Sequence, residues 1–218
     1  MALRGIYFND IHTGTDWDLT MNQYKLEPPS VKTNYLEIEG RDGPIDLTEA
    51  LCDEPRFSAR QLNLKFILTE GNFDSRNTLL STIYNTVHGR RITFKDEDHT
   101  GYHLEGRFAV EDSGNDLAYG EIEIVGTMNP FWLKDVETST FTEAGSSKTC
   151  NVTNNGRMTV YLTVTTTAES NIQYEGGSYS LGAGTFELVD LPVKGGETVQ
   201  FTVTSTGTTT FKWREGQL

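Results

Sequence analysis

Arg60-Gln61-Leu62-Asn63-Leu64-Lys65-Phe66-Ile67-Leu68 is the stretch that sets the fold class. Successive side chains of a strand point to opposite faces, so Leu62, Leu64, Phe66 and Leu68 share one face while Gln61, Asn63 and Lys65 share the other. That spacing predicts a strand with one face in a core and one in water. Tyr102, Leu104, Phe108 and Val110 keep the same period further on, as do Ile122 and Ile124. A different rhythm lies between them. From Asp74 to His88 the apolar residues Leu79, Leu80, Ile83, Tyr84 and Val87 fall on one stripe of a helix. Asp74 or Ser75 can cap its start, and Gly89 is placed to end it. The pattern predicts one helix, over about residues 74–88, among strands.

The composition changes at Asn129-Pro130-Phe131-Trp132, and a domain boundary is expected there, between residues 1–132 and 133–218. Beyond it threonine supplies 18 of the 86 residues, and no helical stripe appears. Met158, Val160, Leu162 and Val164 alternate with Thr159, Tyr161 and Thr163; Val199, Phe201 and Val203 repeat the pattern, and Phe211 and Trp213 follow. Turn signals at Asn154-Asn155-Gly156, Gly176-Gly177, Gly182 to Gly184, Gly195-Gly196 and Gly207 cut the segment into about eight short strands, as in a small sandwich or jelly roll. The fold class is therefore mainly β: an N-terminal β-sandwich carrying one helix, then a small C-terminal β-sandwich.

The 218 residues carry 18 basic and 31 acidic side chains, a net charge of -13. Up to Trp132 there are 12 basic against 22 acidic residues, and after it 6 against 9. No basic stripe exists to neutralise phosphates, which disfavours tight or sequence-specific nucleic-acid binding. No apolar run approaches the roughly 20 residues of a membrane helix. The opening Met1-Ala2-Leu3-Arg4-Gly5 lacks the charged-then-apolar order of a secretory signal, so synthesis and assembly in a cytoplasm are expected. Cys52 and Cys150 stand far apart with no Cys or His at metal spacing and read as buried thiols.

Several stretches in order resemble the distal tail protein family of long-tailed phages. They are Gly5-Ile6-Tyr7-Phe8-Asn9-Asp10 followed by Asp16-Trp17, then Pro28-Pro29 leading into Gly40-Arg41-Asp42-Gly43-Pro44-Ile45-Asp46-Leu47-Thr48-Glu49. Arg56-Phe57, the strand from Arg60, Met128-Asn129-Pro130-Phe131-Trp132 and the ending Phe211-Lys212-Trp213-Arg214-Glu215-Gly216-Gln217-Leu218 complete the set. The resemblance implies a structural hub at the virion tail tip, made in a bacterial host cytoplasm. Its first domain would be tail-tube-like and form a homo-hexameric ring around a channel that DNA crosses without specific binding. Its second would be galectin-like and lie outside the ring. The partners implied are other copies of the chain, the tail-tube protein, a tail-tip protein and a receptor-binding protein, with no membrane insertion. The second domain is short for the family, which leaves little room for inserted loops.

The residues themselves point the same way in three places. A hairpin around Gly40 to Gly43, with Glu37, Glu39, Arg41 and Asp42 near its tip, is the kind of element that extends to a neighbour; Gly43 before Pro44 suits its turn. Arg90 and Arg91 follow the helix, where they can interact with its dipole or pair with an acidic neighbour in a ring. The acidic first domain suits a lumen that does not hold DNA.

Catalytic chemistry finds little support. His99 and His103 flank Thr100-Gly101-Tyr102, and their spacing of four would suit a metal on a helix, but this context reads as a charged hairpin tip. His12 with Asp16 and Asp18 reads as a surface loop. No Gly-x-Ser-x-Gly, phosphate-binding loop or Cys–His pair is present, and nothing selects two carboxylates for glycoside cleavage, so no catalytic residue, metal ligand or cofactor is assigned. Tyr161, Tyr174 and Tyr179 could form a sugar-stacking face, the basis of an alternative reading as a tail module recognising cell-wall glycans. Trp213 shares its strand face with Phe211 and is expected in the core.

Overall fold

The computed structural model describes residues 5–50, 53–68, 71–116 and 118–218. The chain divides into two compact units, 1–130 with Leu218, and 131–217, so the division falls two residues before the one expected after Trp132.

The first unit runs β1 (Ile6–Phe8), β2 (Ile11–His12), β3 (Thr20–Leu26), β4 (Val31–Lys32), β5 (Tyr35–Leu36), β6 (Ile45–Asp46) and β7 (Arg56–Phe57). It continues with β8 (Arg60–Leu68), helix α1 (Phe73–Val87), β9 (Arg91–Asp96), β10 (Tyr102–Asn115) and β11 (Gly120–Met128). An antiparallel sheet links seven of the strands in the order β2-β1-β9-β10-β11-β8-β3. β8 obeys its period-two pattern: Leu62, Leu64, Phe66 and Leu68 are buried, and Gln61, Asn63 and Lys65 are not. The buried faces of β1, β9 and β10 bring Phe8, Phe94 and Phe108 together, with the Phe8 and Phe108 rings perpendicular at 5.2 Å. The glycine at 126 makes this possible, since a Cβ there would stand 2.8 Å from the Phe108 ring.

The helix keeps its predicted place, but its cap and its buried stripe differ from the sequence reading. Asn72 is the N-cap, with its side-chain oxygen accepting from Ser75 N at 2.9 Å, two residues before Asp74 and three before Ser75, the expected caps. The buried line is Arg76, Leu80, Ile83 and Val87, spaced four, three and four. Leu79 is half-buried and Tyr84 exposed, because both lie one step round the helix from that line. Thr78, Thr82 and Thr86 form the opposite face, each hydroxyl donating to the carbonyl four residues earlier. Ile83 has no accessible surface, so Ile83→Ala should cost about 2–5 kcal/mol in chemical denaturation. A loss under about half a kcal/mol would mean the stripe is not what holds the helix.

The second unit contains β12 (Trp132–Lys134), β13 (Thr138–Thr142), β14 (Gly145–Thr153), β15 (Val160–Thr166) and β16 (Ser170–Tyr174). β17 (Gly177–Leu181), β18 (Gly184–Val193), β19 (Thr198–Ser205), β20 (Thr209–Trp213) and β21 (Gly216–Gln217) follow. Eight of these make a sandwich of two four-stranded antiparallel sheets, β13-β20-β15-β18 and β14-β19-β16-β17. Val160, Leu162 and Val164 meet Phe201, Val203, Phe211 and Trp213 in its core, as their alternation predicts. Thr163, Thr165, Thr202 and Thr210 take the outward positions, where β-branching favours the strand and the hydroxyl stays solvated.

β12 pairs with β21, so the ends of this unit are joined, and a polar cluster secures the joint. Glu215 is buried and accepts from Lys134 Nζ at 2.6 Å and from Asn155 N at 3.1 Å. Burial alone would raise its pKa, but Lys134 and the Asn155 N–H groups outweigh it and leave the carboxyl below its ordinary value. A carboxylate whose pKa is lowered by folding stabilises the fold above its unfolded-state pKa, and that stability is lost as pH falls through the folded value. Thermal melts between about pH 7 and about pH 3 should therefore show a steeper decline for the native protein than for Glu215→Gln. Parallel declines would show that this carboxylate contributes nothing to the acid limb.

Candidate assembly interface

Leu26 ends β3 and Arg60 begins β8, and these neighbouring strands are in register, with Leu26 opposite Leu62. The described residues between Glu27 and Ala59 thus leave the sheet and return to it. Val31 pairs with Phe57 and Lys32 with Arg56, then Tyr35 with Asp46 and Leu36 with Ile45. The nested pairs describe a two-stranded arm with residues 37–44 at its tip. Gly40 (φ 81°) and Gly43 (φ 74°) turn the tip in the left-handed region, where residues with a Cβ are strained. Below it, Leu47 N donates to Asn34 O at 2.8 Å and Thr48 N to Asp46 Oδ1 at 2.9 Å. The two hydrogen bonds from Thr48 hold the Asp46 carboxyl below its ordinary pKa.

Glu37, Glu39, Arg41 and Asp42 are all exposed at this tip, as is every residue from 31 to 44. Apolar side chains that the charge pattern does not reveal stand beside them. Val31, Tyr35, Leu36 and Ile38 are each about half exposed (46–56%). A two-stranded hairpin is marginal alone in water, and one that also bares four large apolar side chains has the character of a surface awaiting a partner. The signal was present in Tyr35-Leu36-Glu37-Ile38-Glu39, a short near-alternation that the turn residues around it obscured.

Arg90 and Arg91 lie elsewhere, at the helix exit and the start of β9. Arg91 Nη2 reaches Glu105 Oε2 at 2.7 Å, so the ion pair it makes is within the sheet. A further cation near the last turn of the helix is Arg107, whose Nη1 donates to Gly89 O at 2.5 Å; nothing in the sequence singled it out. His88 N caps the helix on Tyr84 O, and the His88 ring stacks on Tyr84 and accepts from Val110 N at 3.1 Å. Between the helix exit and β9, β10 and β11 lies a cleft of about 520 Å³ lined by His88, Arg91, Arg107, Ala109, Val125 and Thr127.

Tyr161, Tyr174 and Tyr179 do not share one face. Tyr174 and Tyr179 stack at 5.7 Å on β16 and β17 and pack against the sandwich core, while Tyr161 is on β15 of the other sheet and exposed. Burial, with the contact to Tyr174, pushes the Tyr179 hydroxyl up to about 12. A shallow groove of about 740 Å³ runs beside Tyr174, with Gln173, Glu175, Glu197 and Gln200 on its walls.

His99 occupies the turn between β9 and β10, but it is not merely a solvated tip. Its N–H and its ring nitrogen both reach Asp96 Oδ1, at 2.9 and 2.8 Å, and Tyr24 Oη donates to the other oxygen of the same buried carboxylate at 2.7 Å. His103 is buried on β10, with its Nε2 3.9 Å from Glu105 Oε1. The His12 ring accepts from Thr15 N, and Asp16 accepts from His12 N, so this loop is closed by its own polar groups. Among the described residues no group of three or more His, Cys, Asp or Glu side chains could hold a metal ion, and no helix is long and apolar enough to cross a membrane. Cys150 is a free thiol, pushed up to about 11 by burial, and Cys52 lies outside the described residues.

No protein-family model and no curated protein matches the sequence. Among solved structures the chain is similar to SPP1 Dit (gp 19.1), described as a paradigm of the hub adsorption apparatus in phages infecting Gram-positive bacteria. The TM-score is 0.71 at 15% identity, over 99% of both chains. Both units and the arm fall within that correspondence, so the protein has, end to end, the fold of a phage distal tail protein.

Proposed function

We propose that the protein is the distal tail hub of a long-tailed phage or prophage, a homo-hexameric ring that joins the tail tube to the tail-tip and receptor-binding components. The observation that carries this reading is the correspondence, over 99% of both chains, to a hub protein of a phage adsorption apparatus. The arm supports it from physics. An element that reaches away from its own sheet makes a heterologous contact, and heterologous contacts repeated around an axis close into rings. DNA would cross the ring without adhering, as suits a first domain with 22 acidic against 12 basic residues up to Trp132. The role is structural and calls for no catalysis; the protein would reside at the virion tail tip after assembly in the host cytoplasm.

Light scattering with negative-stain imaging tests this. Rings of six copies, single or stacked, are expected as concentration rises, and a monomer or dimer persisting at millimolar concentration would overturn it. Charge at an interface tip governs register and partner choice. Arg41→Asp combined with Asp42→Arg should therefore weaken the ring in sedimentation velocity while leaving the melting temperature unchanged. Identical sedimentation would mean that the tip charges do not contribute.

The groove beside Tyr174 gives the second reading, glycan recognition by the sandwich, one place to act, because it sets an aromatic ring among amide and acid side chains. A glycan array on the fragment from Leu133 onward separates the two. Selective binding lost in Tyr174→Ala would favour the glycan module.

A further inference from the structure

We propose that the arm of one copy docks, tip first, in the cationic cleft at the helix exit of a second copy. The inference rests on the ring reading above and names the receptor surface that the arm would engage.

The cleft is anomalous in an acidic chain. Arg91 and Arg107 are partners across β9 and β10, two guanidinium groups directly opposite on adjacent strands. Like charges so placed destabilise a sheet. Glu105 offsets Arg91 at 2.7 Å, while Arg107 turns to the carbonyl of Gly89. Arg90 and His88 are exposed at the same corner. Among the described residues one carboxylate thus serves a cluster with room for more, and beside the arginines the cleft is lined by the half-buried Ala109 and Val125, paired with each other across β10 and β11.

The arm tip has the complementary character. Glu37, Glu39 and Asp42 bring three carboxylates against the single guanidinium of Arg41, and Ile38 stands between the two glutamates with 46% of its surface exposed. Seating the tip would place Ile38 over Ala109 and Val125 and set carboxylates against Arg91 and Arg107. Ion pairs that the docked tip covers from water would gain accordingly.

Topology makes the contact one between copies. Arg91, Arg107, Thr127 and Gln61 form one cross-strand row over β9, β10, β11 and β8. The arm springs from β8 and the edge strand β3 at one end of that row, and the two arginines lie at its other end. An arm on one side of the unit and a receptor toward the other is the disposition a head-to-tail contact requires.

Charge exchange tests the pairing. Glu37→Lys with Glu39→Lys, and separately Arg91→Glu with Arg107→Glu, should each lower the ring fraction in sedimentation velocity by about tenfold or more. All four substitutions in one chain should restore rings, with negative-stain images to confirm their form. Melting curves check folding; if a reversed variant does not fold, Glu37→Gln with Glu39→Gln and Arg91→Gln with Arg107→Gln replace it and should weaken the ring and flatten its salt dependence. Native protein that forms no ring at any concentration would overturn the hub reading itself. Native rings with both variants unchanged, or losses without restoration, would overturn the docking and leave the hub reading standing.

Discussion

Phe108→Ala is expected to destabilise the first unit by about 3–5 kcal/mol. The ring has no accessible surface, meets Phe8 edge-on at 5.2 Å and lies 6.2 Å from Phe94. Three strands contribute one ring each to this cluster, so its loss is felt by β1, β9 and β10 together. The neighbouring backbone cannot close the space, because Gly126 already brings the adjacent strand as near as the ring permits. Cavity formation therefore adds to the lost burial. For a unit of this size the melting temperature should fall by on the order of 10 °C or more, with the second unit's transition unmoved. A fall of only a degree or two would show that the cluster is not the centre of the unit.

Arg76→Leu should be comparably severe, and for the opposite chemical reason. The guanidinium is buried beneath the helix start and donates to Gly71 O and Asp116 O at 2.7 Å and to Asn115 Oδ1 at 2.9 Å. Hydrogen bonds to a charged group contribute about 1.5–3 kcal/mol each, and removing the donor leaves acceptors that water reaches poorly. The leucine returns some apolar burial, so a net loss of roughly 2–4 kcal/mol is expected. Amide exchange should report it first in the segment around Asn115 and the opening turn of the helix. If the substitution were neutral, hydrophobic volume alone would be what that position demands.

These two residues mark the limits of what the sequence discloses. Phe108 was legible: with Leu104 and Val110 it alternates with polar neighbours, and a period of two has one structural meaning. The same holds for β8 and for Val160 to Val164 in the sandwich, whose alternation assigned the core faces correctly. Arg76 was not legible, because a charged residue on a helix counts as solvent-facing until its acceptors are known, and two of those are carbonyls on other segments. The cap moved to Asn72 for a related reason, since Asn72, Asp74 and Ser75 are all competent and only the path of the chain selects one. β10 likewise runs on through Asp112-Ser113-Gly114-Asn115, past a bulge after Val110, where no apolar pattern marks a strand.

The assembly surface shows the same division. Charge at Glu37, Glu39, Arg41 and Asp42 could be read directly, and so could the turn that carries them. The exposure of Tyr35, Leu36 and Ile38 could not, because it is a property of the arm's isolation from the sheet and not of the near-alternation that holds them. Arg107 joined Arg91 only through strand register, which brings residues sixteen positions apart face to face. Tyr161 was parted from Tyr174 and Tyr179 by topology that no spacing along the chain reveals.

The pairing of Phe8 with Phe94 bears on how the chain comes to be folded at all. A nascent polypeptide emerging from the ribosome exposes its first strand long before that strand's partner is made, so β1 must wait while most of the first unit is synthesised. The second unit repeats the delay, because Trp132 near its start pairs with Gln217 near its end. Such non-local topologies fold slowly, in the millisecond-to-second range. β1 thus stays unpaired until β9 is translated, and β12 until β21 is.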